Sequence, residues 1–291
     1  MSAPDAAFGF IGLGNIGAPM ARRLLGQPRP LVVHDVVAAA TEPFAAKGAV
    51  VVATPGELAE RADLISIVVQ NETQVRAVLD GPDGILAHAS PGTVVAVHST
   101  ISAEGAVALA ELAAAAGVDL VDAPISGGAM GAHEGTLAVM VGGSDDAVER
   151  VRPLLDRYGT LVVHAGDVGQ GTRMKIARNL ISFASFAVAG EAERLAGAAG
   201  LDVARLGDVV RHSDKVTGGP GAPMLRREAG PMAPDDGLRP IFDHTLTLGA
   251  KDLELAAELG DELGIDTPFA ELARRTLASA LGLEPYPEDA P

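Results

Sequence analysis

The sequence predicts an α/β chain in two parts: a doubly wound, mostly parallel sheet covered by helices, then an all-α C-terminal domain opened by a long interdomain helix. Three observations predict it. Short apolar runs without polar alternation recur between helical stretches from residue 8 to residue 164, the pattern of strands buried on both faces of a parallel sheet. Beyond Asp167 the alternation stops and only helical stretches follow. With 291 residues, the chain is also longer than one hydrophobic core usually serves, which favours two domains. We place the boundary after residue 168, giving domains 1–168 and 169–291.

The first apolar run, residues 8–13, ends in Gly12, Leu13, Gly14, Asn15, Ile16 and Gly17, a G-x-G-x-x-G turn from a strand into a helix over residues 18–25. In such a turn the first glycine permits the bend, the second lets backbone approach a pyrophosphate, and the third lets helix pack closely on strand. N–H groups at the helix start then face the anion. Residues 31–34 form a second buried strand ending at Asp35, which lies 18 positions after Gly17. A carboxylate there accepts from the ribose hydroxyls of NAD. Its charge opposes a 2′-phosphate, and Val36 and Val37 follow where an arginine would have compensated, so NAD is the expected cofactor and NADP the alternative. These features make the first domain a Rossmann-type, dinucleotide-binding domain.

Further strands are expected at residues 64–69, 93–98, 120–123, 137–141 and 161–164, with helices over 102–116 and 145–155 and Gly117 as a left-handed stop. Ligands of such sheets bind beyond the carboxyl ends of the strands. Those ends carry Val69-Gln70-Asn71, Ser99-Thr100 and the loop Asp122-Ala123-Pro124-Ile125-Ser126-Gly127-Gly128. Hydroxyl and N–H donors of the Ser126-Gly127-Gly128 type suit a carboxylate or carbonyl oxygen, although a plain flexible turn has the same composition.

Residues 172–199 contain few helix breakers and read as the long interdomain helix. Lys175 and Asn179 stand four positions apart in it, so a titratable amine and a neutral amide share one helical face. Asp202 caps a helix reaching about residue 211; residues 218–240, rich in Gly and Pro, read as irregular loop; helices follow over 245–263 and 268–281, the first stopped by Gly264. The tail, 284–291, is expected to fray. Lys251 sits on the penultimate helix.

Composition narrows the function. A formal charge of −16 with no run of Lys and Arg argues against nucleic acid. The absence of cysteine removes disulfides, zinc-thiolate sites and thiol nucleophiles. His98, His164 and His244 lie far apart in sequence without ligand spacing, so no metal site is expected. No secretory signal and no spanning apolar segment is read, which points to a cytoplasmic protein without a membrane partner.

Together the segments FIGLGNIGAPMARRL, DAPISGGAMGAHEGTLAVMVGG, GQGTRMKIARN and KDLELA resemble, in order and over residues 8–281, the β-hydroxyacid dehydrogenase family, which includes 3-hydroxyisobutyrate dehydrogenases and tartronate semialdehyde reductases. The resemblance implies an oxidoreductase moving a hydride between NAD(P) and the carbinol or carbonyl carbon of a short 3-hydroxy acid. It implies that Gly12 to Gly17 and Asp35 hold the dinucleotide, with Val69, Gln70, Thr100 and Lys251 at its nicotinamide end. Ser126, Gly127 and Gly128 would bind the substrate carboxylate, Lys175 would be the acid/base and Asn179 would orient the substrate. The chain departs from the family where Val69-Gln70 replaces Leu-Pro and where Arg178 replaces Asn. The alternatives are an imine reductase-like enzyme and a catalytically silent dinucleotide-binding regulator. A homodimer or homotetramer is expected, because Ala- and Leu-rich helices of the second domain need a partner to bury both faces.

Overall fold

A computed structural model describes residues 7–225 and 231–283; the tail expected to fray, 284–291, lies outside them. The chain separates into two compact units that meet in sequence between Arg178 and Asn179. In chain order the first unit contains β1 (Ala7–Ile11), α1 (Gly17–Arg22), β2 (Leu31–His34), α2 (Ala38–Ala45), β3 (Val50–Val51), α3 (Pro55–Ala59), β4 (Ala62–Ile67), α4 (Glu72–Leu79), α5 (Ile85–His88), β5 (Val94–Val97) and α6 (Ala103–Ala115). It continues with β6 (Asp119–Asp122), β7 (Ile125–Ser126), α7 (Gly128–Glu134), β8 (Leu137–Gly142), α8 (Asp145–Leu155) and β9 (Gly159–Gly166). Helix α9 (Gln170–Ala198) begins in this unit and runs on into the second, where α10 (Val203–Thr217), α11 (Arg239–Leu263) and α12 (Pro268–Ala280) follow.

The sheet order is β3-β2-β1-β4-β5-β6-β8-β7, with β9 paired to β8. Strands β3, β2, β1, β4, β5 and β6 are parallel to their neighbours, as are β8 and β9, whereas β8 runs antiparallel to both β6 and β7. The sheet is thus mostly parallel, as expected, with β8 and β9 reversed relative to β6 and β7. Strands β6 and β7 run the same way on either side of β8, and the chain reverses between β7 and β8 through the connection that carries α7. Successive residues feed opposite faces: Phe8, Phe10, Leu31, Val33, Val94 and Ala96 join one hydrophobic cluster, while Ile11, Val32, Val95 and Val97 join another. Both faces are thus buried, which is why the strands carry no polar alternation.

Local chemistry starts and stops the helices. Asn71, Ser102 and Ser144 accept the N–H of Gln74, Gly105 and Ala147 as N-caps of α4, α6 and α8. Asp202 does the same at α10, which runs past the expected end at residue 211 to Thr217. Gly264 ends α11 with φ of 67°. The expected loop over 218–240 is corrected at both ends: Gly219–Gly221 is a 3-10 turn, and α11 starts at Arg239. Pro240 falls in the first helical turn, where its missing N–H costs nothing, so it opens the helix instead of marking a loop.

The second unit has a small described core of Met232, Phe242, Leu246, Ala278, Leu281 and Leu283. Glu191 of α9 is buried there, and its carboxylate accepts the N–H of Phe269 and of Ala270, each at 3.0 Å, at the start of α12. Among the described residues, no helix is long and apolar enough to cross a membrane.

Candidate active site

At the carboxyl end of β1 the three glycines occupy three different environments. Gly12 has φ of 91°, and a Cβ there would overlap Val68 O; at Gly17 it would overlap Gly12 O. At Gly14 it would meet no protein atom within 4 Å. The first and third glycines are therefore required by the protein's own backbone, and the middle one leaves open space, which is where a phosphate approaches. Asp35 follows β2 with its Oδ2 accepting from Leu13 N at 2.6 Å and its Oδ1 from Val37 N at 2.8 Å. The acid thus pins the glycine turn across 22 positions. The side chains of Val36 and Val37 lie in solvent beside it. Leu13 is buried, Ile16 half-buried and Asn15 exposed. These residues fit a dinucleotide: an open glycine, a hydrogen-bond acceptor for ribose, and no bulky side chain over the turn.

The ends of β4 and β5 are tied by Ser99, which was not among the expected site residues. Its hydroxyl donates to Val69 O at 2.6 Å and accepts from Val69 N at 3.2 Å, fixing Val69 by a buried side chain. Gln70 is exposed, with its N–H donating to Gln74 Oε1 at 2.9 Å, and Thr100 is exposed next to Ser99. Beneath this rim lies a buried polar triangle. His98 Nδ1 is 2.7 Å from Ala123 O, so Nδ1 carries the proton; Nε2 then accepts, with Tyr158 OH at 2.9 Å and Ser66 Oγ at 3.1 Å. Burial lowers the His98 pKa to about 4 and raises that of Tyr158, so both are neutral near pH 7.

The substrate loop leaves β6 at Asp122. Ser126 lies in β7, whose pairing to β8 sets it against Ala138, and Gly127 and Gly128 take φ of 133° and 63° at the start of α7. These are left-handed conformations that favour glycine. Ser126 is partly exposed, and Gly127 and Gly128 are exposed. Asp122 itself is 1 % exposed and accepts from Gly169 N at 2.7 Å and Thr172 N at 2.6 Å, at the beginning of α9. Desolvation raises its pKa, offset by these two N–H donors.

Lys175 stands on the next turn of α9. It is 9 % exposed, and burial followed by the nearby Arg178 cation lowers its pKa from 10.5. Both effects favour the neutral amine, the form in which a lysine accepts a proton. Asn179, half-buried, is the first residue of the second unit. Lys251 belongs to that unit too, on an exposed part of α11, with Nζ 3.0 Å from Asp252 Oδ1. Within the first unit the glycine turn, Asp35, Val69, Gln70, Thr100 and the Ser126 loop follow the carboxyl ends of β1, β2, β4, β5 and β6, and Lys175 lies on α9, whose start is bound by Asp122 at the end of β6; Asn179 and Lys251 belong to the second unit.

Comparison with known proteins agrees with both units. Residues 7–166 match the family described as the NAD binding domain of 6-phosphogluconate dehydrogenase, and residues 169–289 match that described as the NAD-binding domain of NADP-dependent 3-hydroxyisobutyrate dehydrogenase. An uncharacterized oxidoreductase of Mycobacterium tuberculosis is 51 % identical over 97 % of this chain and 95 % of its own. The 2-(hydroxymethyl)glutarate dehydrogenase of Eubacterium barkeri is 33 % identical over 94 % of this chain and 90 % of its own. A crystal structure of an oxidoreductase from Mycobacterium avium superposes with a TM-score of 0.91 at 47 % identity, covering 95 % of this chain and 98 % of that one. With an NAD(P)-binding domain, a helical domain after it and relatives that match nearly end to end, the chain belongs to the β-hydroxyacid dehydrogenase family of oxidoreductases.

Proposed function

We propose that the protein oxidises a short 3-hydroxy acid at its carbinol carbon with NAD, and runs the reverse reduction, with Lys175 as the acid/base. The observation that carries this reading is the burial of a lysine, with a lowered pKa, on the helix turn that follows the Asp122 anchor of the substrate loop. The bound nicotinamide supplies the hydride acceptor and donor. Residues Gly12 to Gly17 and Asp35 hold the nucleotide, with Val69, Gln70, Thr100 and Lys251 toward its reactive end. Ser126, Gly127 and Gly128 take the substrate carboxylate with hydroxyl and N–H donors. Lys175 removes the hydroxyl proton during oxidation and returns it during reduction, and Asn179 orients the same oxygen. NAD over NADP is supported by the Asp35 carboxylate and the two solvent-facing valines beyond it, which offer a 2′-phosphate repulsion and no cation. The exposed apolar faces of the second unit support a homodimer or homotetramer.

The test is turnover of Lys175→Ala and Lys175→Arg on a panel of 3-hydroxy acids with NAD and NADP side by side. Both variants are expected to lose about 10² or more of kcat while NAD affinity stays within about twofold, since general acid–base catalysis is worth that much. In the native enzyme oxidative turnover should rise with pH through a midpoint below the ordinary lysine value of 10.5, and reductive turnover should fall across the same window, because oxidation needs the free amine and reduction the ammonium. A variant with native turnover would remove Lys175 from the chemistry.

A further inference from the structure

Asp122 makes no contact that catalysis by Lys175 requires directly, yet it occupies a position that few carboxylates reach. It is the last residue of β6, is 1 % exposed, and spends one oxygen on the N–H of Gly169 and the other on the N–H of Thr172. Gly169 directly precedes α9 and Thr172 lies in its first turn, where backbone N–H groups have no helical acceptor. A cap normally comes from the residue just before the helix; this one arrives from 47 and 50 positions away. The approach is backbone against backbone. A Cβ on Gly171 would overlap Met140 O and stand 2.7 Å from Asp122 O and 2.8 Å from Gly142 N, and one on Gly142 would overlap Asp122 Oδ1 and stand 2.9 Å from Gly171 N. Two glycines thus let α9 seat directly on the ends of β6 and β8. Lys175 follows Thr172 by three positions and Gly171 by four, so it continues the seated face by one turn. In the other direction, Ser126 follows Asp122 by four positions.

We propose that Asp122 is a positioning residue that holds the amine of Lys175 in register with the Ser126-Gly127-Gly128 turn, through its two hydrogen bonds to the start of α9. The inference rests on the acid/base reading of Lys175 for its effect on turnover, and on geometry alone for its effect on where the amine stands. A carboxylate can satisfy both N–H groups. An amide cannot, because its nitrogen would point a donor at a donor. The helix start would then shift or loosen, and proton transfer is sensitive to displacements of about 1 Å.

The experiment uses the full-length protein and the near-isosteric Asp122→Asn. Trace labelling of amines with acetic anhydride, read at the Lys175 peptide by mass spectrometry across pH, reports the position and exposure of that amine without reference to turnover. Labelling is expected to be at least about fivefold faster at Lys175 in Asp122→Asn, with the exposed Lys47 and Lys215 as unaffected internal standards. Oxidative kcat is expected to fall about tenfold or more with KM for NAD within about twofold, and the loss should vanish in a Lys175→Ala background, since removal of the group acted upon leaves nothing to position. Should Asp122→Asn fail to fold, Gly142→Ala, which keeps the carboxylate and presses a methyl against it, is read by the same labelling. Native labelling at Lys175 in a folded variant overturns the proposal, as does a kcat loss of equal size in the Lys175→Ala background. Unchanged turnover of Lys175→Ala alone would instead overturn the acid/base reading, with the labelling result still deciding the role of Asp122.

Discussion

His98 shows what a single side chain contributes beneath the site. Its ring links the ends of β5 and β6 by donating to Ala123 O and accepting from Tyr158 or Ser66, and only the neutral ring can do both. Its pKa of about 4 lies below the ordinary 6.5, so the unfolded chain binds a proton before the folded one does. Stability from this residue is present above pH 6.5 and is lost as pH falls from there toward 4. Across that window the slope amounts to about 2 kcal/mol between pH 7 and pH 5. Urea melts at these two pH values should show a loss of that order in the native protein and a much smaller one in His98→Gln. Asp122, whose raised pKa acts in the opposite sense, is present in both proteins and cancels from the comparison. Equal acid sensitivity in the two would show that the ring is not the titrating group. Nothing in the sequence marked His98 as more than a strand-end histidine, because its partners are 32 and 60 positions away. Ser99 and Asp122 were read only as strand-end residues, because the bonds of Ser99 to Val69 and of Asp122 to Gly169 and Thr172 join positions 30 to 50 apart, while motif spacing along the chain singled out Gly12, Asp35 and Lys175 as candidates.

Among elements, the turn from β1 to α1 separates two kinds of glycine. Under the proposed cofactor site, Gly12→Ala should destabilise the protein itself, since the residue must hold φ of 91° against Val68 O. Gly14→Ala should leave the melting temperature nearly unchanged, because open space receives the methyl, while weakening NAD by about tenfold or more, a difference of about 1.4 kcal/mol. Thermal melts with and without NAD, together with fluorescence titration, separate the two; equal NAD affinity for Gly14→Ala and the native protein would exclude the turn as the nucleotide site. At this scale strands with strong apolar runs were readable to within two residues, as at residues 31–34 and 137–141, which match β2 and β8. The two-residue strands β3 and β7 were not, since each has too few residues to show a period and is defined only by its pairing. The reversal at β8 was hidden because an antiparallel strand buried on both faces has the same composition as a parallel one.

For the whole molecule, the contrast between the units is the informative feature. The first has two large hydrophobic clusters. In the second, α9 leaves Leu180, Phe183 and Phe186 exposed, the rings at 64 % and 69 %, with Val209, Val210, Ile241, Leu248 and Leu255 exposed on α10 and α11. Residues spaced three apart on one helix form a stripe, and Phe183 stacks edge-on against Phe186 at 5.9 Å. A net charge of −16 disfavours unspecific association, so contact through this apolar surface is expected to be specific. Light scattering on Phe183→Glu/Phe186→Glu should therefore report a smaller species than the native protein; a native protein that is itself monomeric would refute the proposed assembly.

The Glu191 carboxylate has a bearing on how the second unit comes into being. Its partners, the amides of Phe269 and Ala270, lie 78 and 79 positions downstream, and a helix of 13 residues is marginal in isolation. Helix α12 thus has its opening turn capped by a segment synthesised much earlier, and a nascent chain halted before residue 268 lacks both N–H donors that the Glu191 carboxylate accepts from. Completion of the chain buries the carboxylate and supplies those two donors together, which couples formation of the last helix to α9.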